Sequence, residues 1–369
     1  MGFVAVYNLS RMPTSVRSHA KINLGLAIGP IRLDGYHALA TIYQTLAIHD
    51  LVQVVAERLA PAQENRIEIA CSDTRVPCDS RNTCFQIIEH ALNRLRISAQ
   101  VTIHIEKKLP VRGGLGAGSA NAAAGLLGLE RELDLELSGD DRLAIAAETG
   151  SDVPLFLIGG TVLGLGRGEE VYPLPDLPSM PCILATPDIG VSTPDAFREW
   201  DRLYAGRLEN ARDPAENLKP KTEEEKLTAA PGSDRLKQLG RIWASALAVP
   251  RDFHANATGV FPAELKKDRA GNLLLELVRA GIENDFEAVV FCQYPSLRGI
   301  FETLKNDSQT ENSAIYAALS GSGSALFGLY RTLEEAGKAI KRLNAQGISA
   351  CDTTTVGREE YWRKMFSAR

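Results

Sequence analysis

The stretch Pro110-Val111-Arg112-Gly113-Gly114-Leu115-Gly116-Ala117-Gly118-Ser119-Ala120-Asn121 places four glycines within six residues, directly before a segment rich in alanine and leucine. Glycine lets the backbone approach a ligand closely and adopt positive φ. The following residues, 120–133, favour a helix, and the N-terminus of a helix offers N–H groups that suit an anion. An ordinary turn before a helix needs one or two glycines. The crowding therefore favours a phosphate-binding loop over a turn.

Other nucleotide-binding loops do not fit this stretch. The chain has no G-x-x-x-x-G-K-[ST] pattern, and the glycine spacing here is wrong for G-x-G-x-x-G. This excludes the standard P-loop, the dinucleotide fingerprint and the protein-kinase loop. Ser119 adds a hydroxyl that can contact a phosphate or a metal ion.

Hydrophobic periodicity around the loop predicts a mixture of strands and helices. Alternating patterns predict strands at 18–26, 38–46, 51–56 and 66–70, which together suggest a meander, and a further strand at 101–106. Helical spacing at 82–95 and 120–133, and a helix that begins after Ser138 and runs through residue 148, interrupt the strands. Strict strand–helix alternation is absent, so we expect an α+β fold with antiparallel sheets partly covered by helices.

The second half of the chain shows where the domains divide. Four prolines crowd residues 173–181, which predicts an interdomain crossing and domains at 1–175 and 176–369. Residues 209–234 are charged and poor in apolar side chains, and they read as a loop within a longer insertion at about 201–273. Core character returns at 273–280 and 286–291, followed by a glycine-rich turn and strand at 320–330 and an amphipathic helix at 333–343.

Composition excludes several classes of function. The formal net charge of −5 gives no basic field for nucleic acid or an anionic membrane. The N-terminus lacks the basic region of a signal peptide, and no window reaches the roughly 18 apolar residues of a membrane span. The six cysteines lack zinc-site spacing, so we expect reduced thiols, no protein-ligated metal and a cytoplasmic protein.

Three motifs in order carry a resemblance to a known family. Ala20-Lys21-Ile22-Asn23-Leu24, the stretch from Pro110 to Ala123, and Leu319-Ser320-Gly321-Ser322-Gly323-Ser324-Ala325 resemble the three motifs of the GHMP kinases. The resemblance implies a two-domain α+β fold, with an N-terminal domain like domain 2 of ribosomal protein S5 and a ferredoxin-like C-terminal domain. It also implies phosphorylation of a hydroxyl group with ATP and Mg²⁺. A kinase of the homoserine or mevalonate type, or a non-catalytic nucleotide-binding protein of the same fold, are the alternatives.

The resemblance assigns the catalytic and ATP-binding residues. Asp152, in Gly150-Ser151-Asp152-Val153-Pro154, is the expected base, and Lys21 is expected to stabilise it and the transferring phosphoryl group. Without the resemblance, Asp152 reads as a turn or N-cap residue and Lys21 as a solvated strand lysine. The expected ATP-binding residues are Pro110, Gly113, Gly114, Leu115, Gly116, Ala117, Gly118, Ser119 and Asn121.

The substrate-binding residues also follow from the resemblance. Asp34-Gly35-Tyr36-His37 is the most specific segment, and it implies a small-molecule substrate with a cytosine that Tyr36 stacks on and His37 hydrogen-bonds. Thr193 and Phe197 are expected to form the opposite wall, and Asn23, Gly321 and Gly323 to contact polyol or phosphate groups. The chain is expected to be a monomer or homodimer. The insertion, Arg112 in place of a small residue and Ala120 in place of serine depart from the family pattern.

Overall fold

In a computed structural model, residues 12–61, 63–111, 113–210, 283–306 and 313–367 are described, the side chains of 204–210 excepted. A six-stranded sheet contains β1 (Thr14–Ile31), β2 (His37–Arg58), β3 (Arg66–Cys71), β4 (Ala99–Glu106), β5 (Thr161–Leu165) and β6 (Glu170–Pro173). The strand order is β3-β4-β2-β5-β6, and β1 pairs with β2. Helices α1 (Thr83–Leu95), α2 (Ala117–Leu133) and α3 (Gly139–Thr149) lie in the same half of the chain.

The strands of this sheet differ from the sequence prediction in length and in order. The segments predicted at 38–46 and 51–56 form one strand of 22 residues, β2, which pairs antiparallel with the 18-residue β1. The predicted meander is wrong for β3, which pairs parallel to β4. A parallel pair needs a crossover connection, and α1 lies between these two strands in the chain.

The helix starts follow their capping residues. Asn82 caps α1 by accepting a hydrogen bond from Cys84 N, and Ser138 caps α3 by accepting one from Asp141 N. Helix α2 begins three residues before the predicted start, because Gly116 adopts the left-handed conformation and serves as its N-cap. The helix packs closely on the sheet: a Cβ at Gly128 would lie 2.5 Å from Val54 Cγ2.

A second sheet has four antiparallel strands in the order β10-β7-β9-β8. Its strands are β7 (Pro181–Ala185), β8 (Tyr316–Leu319), β9 (Leu326–Leu329) and β10 (Ala350–Thr354), and the helices near it are α4 (Thr193–Asn210), α5 (Phe286–Gln293), α6 (Pro295–Lys305) and α7 (Leu333–Ala345). The α+β class with two sheets is confirmed. None of the helices in the described ranges combines the length and apolarity that a bilayer span requires.

The chain changes sheets between β6 and β7, in the proline-rich stretch. The last helix, α8 (Arg358–Met365), nevertheless returns to the first core, where the buried Tyr361 hydroxyl donates to Phe156 O at 2.7 Å. The division at 175 stays a prediction. Residues 201–210 of the predicted insertion continue α4, whereas 211–273 and the predicted core segment 273–280 lie outside the described residues.

Candidate active site

Two glycine-rich loops meet at the boundary between the sheets. The Ser320 hydroxyl donates to Gly114 O at 3.0 Å, and Ala325 N donates to Gly113 O at 3.1 Å. Gly114 has φ +75°, and a Cβ there would lie 2.1 Å from Ser320 O. Only glycine fits this position, because both the backbone conformation and the close approach exclude a side chain. The second and third motifs therefore form one structural unit.

The first of these loops ends at the start of α2. Gly116 has φ +70° and caps the helix without a side-chain hydrogen bond, and the first helical hydrogen bond runs from Ala120 N to Gly116 O. The N–H groups of Ala117, Gly118 and Ser119 precede that bond. Together with the helix dipole they form an electropositive end that suits a phosphate.

Lys21 and Asp152, which are far apart in the sequence, form an ion pair beside this helix. Lys21 Nζ lies 3.3 Å from Asp152 Oδ2, and the lysine side chain is only 4% exposed, against 32% for the aspartate. A Cβ on Gly116 would lie 2.9 Å from Lys21 Cγ. Lys21 is therefore not the solvated strand lysine that its sequence context alone suggests. Its ammonium group lies buried between the start of α2 and the aspartate.

A chain of hydrogen bonds fixes the position of Lys21. Its Nζ donates to Asn23 Oδ1 at 2.7 Å, and Asn23 Nδ2 donates to Thr41 Oγ1 at 2.7 Å. Lys21 N also donates to Leu115 O at 3.0 Å, which ties β1 to the glycine loop. The third motif also lies close to the ammonium group, because a Cβ at Gly321 would lie 3.5 Å from Lys21 Nζ. The ammonium group is held between all three motifs.

Tyr43 completes this cluster, although the sequence analysis did not identify it. Its hydroxyl donates to Asp152 Oδ1 at 2.9 Å, so the two carboxylate oxygens have separate partners. Burial, reinforced by Asp152, raises the pKa of Tyr43 well above its ordinary value and keeps the hydroxyl protonated as a donor. Tyr43 pairs with Asn23 across β1 and β2 and lies two residues after Thr41, and this alternation is the signal that could have identified it.

An aromatic stack lies at the other end of the site. The His37 and Phe197 rings are nearly parallel, with an interplanar angle of 8° and centroids 5.1 Å apart. His37 Nδ1 lies 2.9 Å from Gly29 O, and Nε2 lies 3.1 Å from Asp201 Oδ1. Thr193 Oγ1 lies 2.6 Å from Ser322 Oγ, which joins α4 to the third motif.

Asp201 is the second site residue that the sequence analysis missed. Thr193, Phe197 and Asp201 follow one another at intervals of four residues in α4, so they share one face of the helix. That spacing could have identified Asp201 once Phe197 had been chosen, but the predicted insertion began at this residue.

Tyr36 lies at the rim of the site and not against Phe197. Its side chain is 57% exposed, and the Arg167 guanidinium lies over its ring, 5.0 Å from the centroid. Arg167 in turn contacts Glu169 Oε1 at 3.3 Å. Tyr36 and Phe197 were predicted to face each other across a cytosine. In this structure they do not, because the His37 ring covers the face of Phe197.

One cavity of about 480 Å³ connects the ion pair with the aromatic stack. It is lined by ten of the predicted residues, namely Lys21, Asn23, Tyr36, His37, Gly114, Gly116, Asp152, Thr193, Phe197 and Gly321, and also by Thr41, Tyr43, Arg167, Arg198, Asp201 and Ser322. The remaining predicted residues lie outside its lining: Pro110, Gly113, Leu115, Ala117, Gly118, Ser119, Asn121 and Gly323.

Several of these outer residues have structural contacts. Leu115 is buried in the core, and Gly323 N donates to Ser320 O at 3.0 Å. The Asn121 amide is also buried, 2.6 Å from Ser18 Oγ and 3.1 Å from Asp50 Oδ2. Ala117, Gly118 and Ser119 form the first turn of α2, on the helix end described above. Arg112 lies outside the described residues.

Two carboxyl groups, the buried Asp50 and the partly buried Glu287, accept hydrogen bonds from the backbone of the two loops. Asp50 Oδ1 accepts hydrogen bonds from Lys108 N at 2.7 Å and Leu109 N at 2.8 Å, just before the second motif. Glu287 Oε1 accepts one from Leu319 N at 2.8 Å, at the first residue of the third motif. Burial raises the pKa of Glu287 to about 7. Asn284 Nδ2 donates to Leu319 O at 2.9 Å and to Gly321 O at 2.7 Å.

Comparison with known proteins agrees with this architecture. Residues 82–160 match the model of the GHMP kinases N terminal domain, and residues 264–349 match that of the GHMP kinases C terminal domain. The fold, the paired glycine loops and these matches define a small-molecule kinase. The chain belongs to the GHMP kinase family.

Relatives that cover the chain widely share one name. A 4-diphosphocytidyl-2-C-methyl-D-erythritol kinase of Solibacter usitatus is 31% identical over 95% of this chain and 92% of its own length. A kinase of the same name from Rhodococcus jostii is 43% identical, but the match spans only 52% of this chain and 61% of that relative. A crystal structure of 4-(cytidine 5'-diphospho)-2C-methyl-D-erythritol kinase superposes with a TM-score of 0.60 at 25% identity, covering 93% of this chain and 99% of the other.

Proposed function

We propose that this chain transfers the γ-phosphoryl group of ATP to the 2-hydroxyl of 4-diphosphocytidyl-2-C-methyl-D-erythritol, a step in non-mevalonate isoprenoid precursor biosynthesis in the cytoplasm. The observation that carries the proposal is the Lys21–Asp152 pair, in which the lysine is buried and which one cavity connects to the stack of His37 on Phe197. A substrate with a hydroxyl at one end and a cytosine at the other matches these two ends. The names of the relatives supply the particular molecule.

The start of α2 is the proposed phosphate site for ATP. Ala117, Gly118 and Ser119 offer N–H groups there, and Gly114 and Gly116 bring the loop backbone close to the transferring group. Among the described residues, no cluster of three His, Cys, Asp or Glu side chains could hold a metal ion by itself. This fits Mg²⁺ carried mainly by the ATP phosphates, with the Ser119 hydroxyl as the nearby protein oxygen. The ion would neutralise phosphate charge.

Asp152 and Lys21 would act on the substrate hydroxyl. The Asp152 carboxylate orients the hydroxyl and accepts its proton as the new oxygen–phosphorus bond forms and the bond to the ADP leaving group breaks. Lys21 holds the carboxylate in place through their 3.3 Å contact and faces the transferring phosphoryl group with a positive charge. Since Asn23 and Tyr43 hold both partners in place, little rearrangement accompanies the transfer.

The opposite end of the cavity would bind the rest of the substrate. Tyr36 offers an exposed aromatic face at the rim, and the base would displace the His37 ring from Phe197 to stack there, which leaves a His37 ring nitrogen for the edge of the base. Asn23, Thr193, Gly321 and the neighbouring Gly323 are placed to contact the polyol and the diphosphate along the third motif.

A coupled assay of ADP release tests the proposal. Purified protein with Mg-ATP is supplied with 4-diphosphocytidyl-2-C-methyl-D-erythritol, homoserine, mevalonate or galactose in parallel. We expect turnover only with the cytidylyl substrate. Turnover with another of these alcohols would keep the kinase and reject the substrate. ATP binding without turnover on any of them would favour a non-catalytic nucleotide-binding protein.

A further inference from the structure

The C-terminal helix α8 holds the short 3₁₀ helix Pro154–Leu157, which begins two residues after the proposed base Asp152. Carbonyl groups at the end of a helix have no partner within it. The Tyr361 hydroxyl of α8 supplies one such partner by donating to Phe156 O at 2.7 Å. Both side chains are fully buried, and burial raises the pKa of Tyr361 well above its ordinary value, so the hydroxyl stays protonated as a donor.

The ring of Tyr361 also lies against the strand that carries Lys21. The centroids of the Tyr361 and His19 rings are 5.0 Å apart, and His19 precedes Lys21 by two residues in β1. Tyr361 therefore contacts both of the elements that bring the ion pair together, namely β1 with Lys21 and the 3₁₀ helix that follows Asp152. A residue packed between these two segments helps to set the 3.3 Å separation of the charged groups.

The 3₁₀ helix reaches the start of α2 through the side chain of Phe156. A Cβ at Gly116 would lie 2.9 Å from Phe156 Cζ and also 2.9 Å from Lys21 Cγ, so these three residues are in close contact. The chain then passes directly beside the ring of Tyr361. Gly159 has φ +72°, and a Cβ there would lie 2.3 Å from Tyr361 Cδ1, so this close passage requires a glycine.

We propose that Tyr361 is a positioning residue for phosphoryl transfer, which holds the Asp152 carboxylate in place through Phe156. The proposal rests on the proposed function, since Asp152 is the base there. Loss of the hydroxyl leaves the buried Phe156 carbonyl without its donor, and an unsatisfied buried acceptor is costly. The 3₁₀ helix then shifts, and the carboxylate moves with it. Because Tyr361 does not line the cavity, both ligands keep their contacts, and the loss falls on kcat and not on KM.

Tyr361→Phe tests the proposal, because it removes the hydroxyl and keeps the ring against His19. Tyr330→Phe is the matched control, since that buried hydroxyl also donates to a backbone oxygen, Leu304 O at 2.9 Å, in the second core. In the full chain, ADP release gives kcat and the KM values for ATP and the cytidylyl substrate, and thermal unfolding gives the melting temperature. Hydrogen exchange of peptides that span residues 153–159 is followed by mass spectrometry in the same proteins.

We expect Tyr361→Phe to lower kcat roughly tenfold and to leave both KM values within about twofold of wild type, because displacement of a reacting group costs rate steeply. Tyr330→Phe should lose a similar amount of melting temperature and keep the wild-type kcat. Exchange at residues 153–159 should become faster only in Tyr361→Phe. A wild-type kcat in Tyr361→Phe, or equal losses of kcat in the two variants, would overturn the proposal.

The exchange measurement separates this proposal from the proposed function. If wild type turns over no cytidylyl substrate, the proposed function fails. Exchange then decides whether Tyr361 holds the segment that follows Asp152. Faster exchange at residues 153–159 in Tyr361→Phe supports this role, and exchange unchanged from wild type overturns it.

Discussion

Removal of the Tyr43 hydroxyl tests how the carboxylate of Asp152 is held. Tyr43→Phe deletes one hydrogen bond of 2.9 Å to Oδ1 and leaves the Lys21 contact to Oδ2 in place. A hydrogen bond to a charged group contributes about 1.5–3 kcal/mol. Because the Asp152 side chain is 32% exposed, water replaces part of that interaction, and we take about 1–2 kcal/mol.

At about 1.4 kcal/mol for each factor of ten in rate, this loss corresponds to a kcat reduced roughly 5- to 30-fold. ATP affinity should be unchanged, because the Tyr43 hydroxyl bonds Asp152 and not the start of α2, the proposed phosphate site. The assay is steady-state ADP release at saturating substrate.

Tyr330→Phe is the matched control for Tyr43→Phe. The Tyr330 hydroxyl is buried and donates to Leu304 O at 2.9 Å in the second core, away from the cavity. Both variants should lose similar stability on thermal unfolding, but only Tyr43→Phe should lose rate. Wild-type kcat in Tyr43→Phe would refute the idea that this hydroxyl orients the base.

Two further predictions concern the supports of the glycine loops. Gly114→Ala should reduce both kcat and the melting temperature, because its Cβ would lie 2.1 Å from Ser320 O. Gly337→Ala is the control: nothing lies near its Cβ, so this variant should be at least as stable as wild type. Equal melting temperatures of the two variants would contradict the close approach at Gly114. Glu287→Gln should gain stability relative to wild type as pH rises. Desolvation raises the pKa of this carboxyl from 4.5 to about 7 in the native state. The wild-type protein therefore loses stability as pH rises from 4.5 to 7, by up to about 3 kcal/mol, whereas the glutamine variant does not. Chemical denaturation at pH 5 and pH 8 measures this difference, and parallel pH dependences of the two proteins would count against it.

Local sequence signals were sufficient for the helices near the site. Asn82 and Ser138 cap α1 and α3 as a polar residue before an apolar period predicts, and the glycine run ends in α2. These features depend on hydrogen bonds between residues close in sequence. The parallel pairing of β3 with β4 and the return of Tyr361 to the first core depend on contacts between distant segments, which periodicity does not report.

In the candidate site too, some features follow from the sequence and others only from contacts between distant segments. The resemblance selected Lys21 and Asp152, but only the folded chain shows them 3.3 Å apart. Tyr43 escaped notice because an aromatic residue in a strand normally reads as core, and its hydroxyl matters only through Asp152. Asp201 was overlooked because the sequence around it reads as the start of an insertion, although it continues the face of α4 that carries Phe197.

The central claim is that the Asp152 carboxylate acts on the substrate hydroxyl in a kinase site. Asp152→Asn keeps the size of the side chain and removes its charge. Single-turnover transfer of labelled γ-phosphate to 4-diphosphocytidyl-2-C-methyl-D-erythritol, measured beside ATP affinity in the same variant, tests this most directly. We predict that transfer is abolished while ATP binding stays close to wild type. Transfer at the wild-type rate in Asp152→Asn would contradict the account.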